Sequence, residues 1–161
     1  MIKPERMLLP TNIRPVKYDI TLEPDLTNFT FQGKEVIEIE VVNQTDLVTL
    51  NSIEITIHCA RMILEDGTVL PAIDVAFDEE KEAVSLGFGG RLPTGTARLE
   101  VEFAGELNDK LRGFYRSRYL DIEGRERYLA TTQLQATDAR RAFPCWDEPA
   151  LKAVFQLTLV F

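Results

Sequence analysis

The chain holds one histidine, two cysteines and one tryptophan in 161 residues. With His58 alone, a His-Glu-x-x-His zinc site cannot be built from this sequence. Cys59 and Cys145 are too widely separated and too few for a disulfide framework or a metal knuckle, and both are expected to be reduced, buried small hydrophobes. No run approaches the roughly 20 apolar residues that a membrane span needs. Basic residues number 18 against 26 acidic ones, for a net charge of −8, which argues against nucleic acid as a partner, since phosphates call for a basic face. There is no Gly-x-Ser-x-Gly elbow, no glycine-rich loop leading into a helix to cradle phosphate, and no amphipathic helix of ten or more residues. The opening MIKPERMLLPTNIRP has basic residues but no apolar core behind them, so it does not read as a secretory leader. The expected location is cytoplasmic, and the sequons at Asn28-Phe29-Thr30 and Asn43-Gln44-Thr45 are then chance matches.

What remains is ordinary in amount and orderly in pattern. Apolar residues make up 45% of the chain, enough for one globular domain over residues 1–161. Period-2 alternation dominates. Val16, Tyr18, Ile20 and Leu22 share one face; Ile37, Ile39 and Val41 repeat this against Glu38 and Glu40; Ile53, Ile55 and Ile57 against Glu54 and Thr56; Ala97, Leu99, Val101 and Phe103 against Glu100 and Glu102. Each run has one face for a core and one for water, as antiparallel sheets do. Glu65-Asp66-Gly67 predicts a hairpin between Met62–Leu64 and Thr68–Leu70. Gly87, Gly89, Gly90, Pro93 and Gly95 crowd the expected link before the run at 96–103. The fold class is all-β: an antiparallel sandwich or open, saddle-shaped sheet pair, with at most one short helical turn near 147–152. The closing AVFQLTLVF is an apolar strand with no turn or cap after it, which predicts a domain shortened at its C-terminal edge and an exposed strand available for self-association.

Candidate chemistry concentrates in TTQLQATDARRAFPCWDEPALKA, residues 131–153. Arg127–Gln135 alternates as a strand, which aims Gln133 and Gln135 the same way, about 7 Å apart. Asp147, Glu148 and Pro149 read as a helix start, with Asp147 as the cap. Arg140 and Arg141, flanked by Asp138 and Asp147, suit fork-shaped carboxylate pairs, and Phe143 and Trp146 suit burial against a sheet. Ala139 to Lys152 thus has a structural explanation. The two glutamines lack one and suit a ligand better than a core. Elsewhere the bland reading prevails: His58 is a solvated strand histidine, and Glu38 and Glu40 are exposed carboxylates without the buried partner that acid–base chemistry needs.

The pattern T-x-Q-x-Q-A-x-D-A-R-R-x-F-P-C-x-D-E-P-A-x-K-A resembles the signature that closes the N-terminal β-domain of the M1 zinc aminopeptidases. Leu9-Pro10 with Pro15, Tyr18 and Leu22, Phe31-Gln32-Gly33, Gly105-Glu106-Leu107-Asn108-Asp109 and Gly113-Phe114-Tyr115-Arg116-Ser117 resemble further motifs of that family, so the likeness spans about residues 8–161. It implies a domain that covers a zinc-bearing catalytic domain supplied in cis, with no catalytic residue, metal ligand or cofactor of its own. It also implies that Gln135 helps bind the free α-amine of a peptide substrate, that Gln133 lines the pocket for the first side chain, and that the Gln135–Ala136 peptide is cis. Trp146 departs from the phenylalanine more usual there. A second reading is a non-catalytic scaffold on the same β-domain, as in a zinc-free relative of the family.

Overall fold

The computed structural model describes residues 8–161; the reading of the extreme N-terminus rests partly on residues outside these. Eleven strands form among the described residues: β1 (Ile13–Asp25), β2 (Thr30–Val41), β3 (Thr45–Asn51), β4 (Ile55–Leu64), β5 (Val69–Pro71), β6 (Asp74–Asp78), β7 (Ala83–Leu92), β8 (Gly95–Glu106), β9 (Gly113–Leu120), β10 (Glu126–Gln133) and β11 (Val154–Leu159). A six-stranded sheet runs β11-β1-β2-β8-β4-β5, a three-stranded sheet runs β3-β7-β6, and β9 with β10 make a separate hairpin. The all-β sandwich expectation holds. Ile20, Ile37, Leu99 and Met62 of the large sheet share one hydrophobic core with Val48, Leu50, Val84 and Leu86 of the small one.

The alternation places most strands correctly and fails where the register slips. Pro15 pairs with Ile39 and Lys17 with Glu38, which leaves Val16 as an extra residue in a β-bulge. The bulge reverses the phase, so Ile13, Tyr18, Ile20 and Leu22 are buried while Val16 is 49% exposed. A second slip lies between Ile57 and Cys59 in the pairing of β4 with β8. It leaves His58 in a bulge and turns Cys59 to solvent, against the expectation of two buried thiols; Cys145 alone is buried. The predicted 65–67 hairpin forms, with Gly67 at φ 85°. The glycines at 87–90, by contrast, lie within β7, and only Pro93 and Thr94 separate it from β8.

Two further corrections concern the end of the chain. β11 joins the large sheet parallel to β1, from Lys17↔Val154 to Leu22↔Leu159, where a wholly antiparallel sheet was expected. Asp147 starts no helix: Leu151 N–H bonds to the Glu148 carbonyl at 3.0 Å in a single turn, and the helical piece is a 3-10 turn at Ala139–Arg141. The side chains meant to cap and charge a helix are engaged elsewhere. Asp147 accepts a hydrogen bond from Arg140, and Glu148 accepts the Leu9 N–H at 2.6 Å.

Candidate functional site

Gln133 is the last residue of β10 and pairs with Gly113, the first residue of β9. The strand therefore stops short of the expected Gln135, which lies in the following turn. Leu134 between them packs against the core, and both glutamines are exposed. The Gln133 amide nitrogen donates toward the Gln135 carbonyl oxygen at 3.5 Å, so the two residues share a neighbourhood. Neither side-chain amide is drawn into the interior. The Gln135–Ala136 peptide is cis.

The turn that carries Gln135 is held on both sides. Asp138 N–H bonds to the Leu134 carbonyl at 3.0 Å, closing the chain around residues 135–137, and Arg141 N–H returns to the Asp138 carbonyl at 3.1 Å. Gly113 sits against this turn with φ 65°; a β-carbon there would lie 2.5 Å from Arg141 Cβ and 3.2 Å from the Asp138 carbonyl oxygen. Only glycine accommodates that approach and that dihedral together, which gives the glycine of the G-F-Y-R-S motif a physical role.

Beyond the turn the chain sinks into the core. Phe143, Cys145 and Trp146 are all buried. Asn51 N–H donates to the Cys145 carbonyl at 2.7 Å and Cys145 N–H returns to Asn51 at 3.0 Å, while the Asn51 side-chain oxygen accepts the Asp147 N–H. The Trp146 N–H donates to the Tyr18 hydroxyl at 3.1 Å. Burial pushes the Tyr18 phenol well up and the Cys145 thiol likewise, so Cys145 stays protonated and is no nucleophile. Arg140 and Arg141 pair with Asp147 and Asp138, each through Nε on one carboxyl oxygen rather than in the expected fork. They also reach Glu82 and Glu54 from other loops, partners that no local pattern announces.

A groove of about 740 Å³ is lined by Ile53, Ile55, Ile57, Phe77 and Asp78 among others and includes neither glutamine. At Gln133 and Gln135 the chain presents exposed surface. Nor do the residues present fit a zinc ion: His58 is exposed in its bulge, and no group of three or more His, Cys, Asp or Glu side chains able to hold a metal occurs among the described residues.

The architecture is that of an all-β domain presenting a tightly anchored strand-end turn at its surface. The chain belongs to the M1 peptidase family, as its N-terminal domain: the family model for the peptidase M1 N-terminal domain matches residues 14–161. Aminopeptidase 2 of Candida albicans is 46% identical over 161 residues, covering 99% of this chain and 17% of that protein. The mitochondrial Aminopeptidase 2 of Saccharomyces cerevisiae is 44% identical, covering 98% and 16%, and the puromycin-sensitive aminopeptidase of Caenorhabditis elegans is 37% identical, covering 94% and 16%. The chain thus spans about one sixth of the length of these relatives.

Proposed function

We propose that this chain is the substrate-recognition and covering domain of a zinc aminopeptidase that removes N-terminal residues from peptides. A catalytic domain in cis supplies the zinc and the hydrolysis. Gln135 offers its side-chain oxygen to the free ammonium of the peptide, and Gln133 lines the space for the first side chain. An amide oxygen is a neutral acceptor, so most of the charge attraction falls to the catalytic domain. The carrying observation is the contrast across one short segment: Gln133 and Gln135 are exposed, with the Gln133 amide nitrogen turned only toward the neighbouring Gln135 carbonyl, while Phe143, Cys145 and Trp146 a few residues on are buried. The family relationship supports the division of labour. So do Val154, Phe155, Leu157 and Leu159, an exposed apolar strand of the kind a neighbouring domain covers. Pairing between copies through β11 is not required by this reading. The reading places the activity in the cytoplasm; no helix among the described residues is long and apolar enough to cross a membrane.

The test is Gln135→Ala in a polypeptide that joins this chain to a catalytic domain. Losing a hydrogen bond to a charged group costs about 1–3 kcal/mol, which raises KM for an aminoacyl anilide by about 5- to 150-fold. Gln133→Ala shifts the preference among first residues instead. Unchanged constants in Gln135→Ala reject the amine-binding role.

A further inference from the structure

Glu54 and Glu82 come from different parts of the fold and share an uncommon backbone. Glu54 precedes β4 of the large sheet and Glu82 precedes β7 of the small one. Both have positive φ, 58° and 49°, in a region that side chains with a β-carbon seldom occupy. Both direct their carboxylates at the same arginine pair. Arg141 Nη1 lies 2.8 Å from Glu54 Oε2 and its Nη2 3.7 Å from Glu82 Oε1. Arg140 Nη1 lies 3.0 Å from the other Glu82 oxygen. Each arginine side chain is only 12% exposed, while Glu82 is 33% and Glu54 47% exposed, so buried guanidinium groups are met by carboxylates that reach them from the surface, Glu82 the less screened of the two.

The connection to the glutamines is short. Arg141 holds Asp138 through Nε at 2.9 Å, and Asp138 closes the turn that contains Gln135. Main-chain bonds already tie the segment to the β3–β4 connection, through Ile53 N–H to the Arg140 carbonyl, and tie that connection to the β6–β7 turn, through Ser52 N–H to the Glu82 carbonyl. The carboxylates therefore add orientation rather than mere attachment: they decide where Arg141, and with it Asp138, sits. An acceptor for an ammonium group must be placed to well under an ångström to be effective.

Resting on the reading of Gln135 as the amine acceptor, we propose that Glu82 and Glu54 are positioning residues for that site, acting through Arg141 and Asp138 to set where the Gln135 turn meets the substrate. Nothing in their local sequence marks them for this. They tie the recognition turn to both sheets at once, so its placement depends on how the sheets pack.

The experiment joins this chain to the catalytic remainder of the Candida albicans relative and follows a leucine anilide, alongside amide exchange in the 161-residue chain itself. Glu82→Gln raises KM about 5- to 10-fold with kcat within about twofold, and exchange at the Asp138 amide quickens by about tenfold or more. Glu82→Asp, which keeps the charge, recovers part of the KM loss; Glu54→Gln moves KM in the same direction. Should Glu82→Gln fail to fold, Glu54→Gln and Arg141→Lys carry the same test. If KM stays put in the glutamate variants while Gln135→Ala raises it, the positioning role is overturned and the amine-binding reading stands. If Gln135→Ala leaves KM alone, both fall together.

Discussion

Glu35 sits on β2 in phase with Phe31, Ile37 and Ile39 and is completely buried. Neither carboxyl oxygen has a hydrogen-bond partner among the described residues, and burial raises its pKa well above the ordinary 4.5. The folded state thus prefers the protonated form. A raised carboxyl group gives its full stability below the unfolded value, and that stability is lost as pH climbs from there through the folded value. Chemical denaturation of this chain should therefore show stability falling as pH rises above the ordinary carboxyl value of 4.5, and Glu35→Gln should flatten that slope. Tyr18 and Cys145, also raised by burial, lose their contributions only above their ordinary values of 10.0 and 9.0. Glu35→Leu should stabilise the fold at pH 8 by about 1–3 kcal/mol, the cost of burying an unpartnered polar group. Identical slopes in the parent and Glu35→Gln would remove Glu35 from the pH dependence. This residue was legible in principle: extending the alternation of Ile37 and Ile39 two steps back puts Glu35 on the core face. The charge argues the other way, and charge is usually the safer guide.

Among the elements, β2 and β8 explain why phenylalanine and glycine stand two apart in Phe31-Gln32-Gly33. Gly33 pairs with Phe103, and Gly105 pairs with Phe31. A β-carbon on Gly33 would fall 2.2 Å from Phe103 Cε2, and one on Gly105 would fall 2.4 Å from Phe31 Cζ. Each ring lies across the opposite glycine, so two large side chains occupy one layer of the core without spreading the strands. Gly33→Ala should cost about 1–3 kcal/mol by overpacking. Phe103→Leu in that background should restore part of it, a coupling that a double-mutant cycle in urea would measure; simple additivity would show that the ring and the glycine do not share the space. The strands themselves were readable because their side-chain period is 2 and one face is apolar. Their interruptions were not, since the bulges at Val16 and His58 insert one residue with no compositional mark. The parallel pairing of β11 was hidden for a related reason: its partner β1 lies at the other end of the chain, and a short apolar strand reads the same in either direction.

At the scale of the molecule, the segment from Ala139 to Trp146 joins parts that sequence reading kept separate. It meets the end of β3 through Asn51 and the β3–β4 connection through Ile53, the β6–β7 turn through Glu82, and β1 through the hydroxyl of Tyr18. The β9–β10 hairpin, which has no strand neighbours beyond its own, docks through Phe114 against Phe31 and Tyr128 against Phe29, with Arg116 over the Phe29 ring. The local pairs of this segment, Arg140 with Asp147 and Arg141 with Asp138, could be read from spacing. The distant ones could not, because nothing near Glu54 or Glu82 announces an arginine. Trp146, the only tryptophan in the chain, is buried in the same core cluster as residues of both sheets, so its emission reports on this junction alone. If the segment is part of the sandwich, the junction and the sheets should be lost together. Tryptophan emission and far-ultraviolet circular dichroism should then follow one transition in urea with coincident midpoints. A red shift of the emission well before the loss of β-structure would mean that the 139–146 segment is docked onto a sandwich stable without it. The Gln135 turn would then be held less firmly than its hydrogen bonds and ion pairs imply, since the anchors of that turn lie in the segment that had come away.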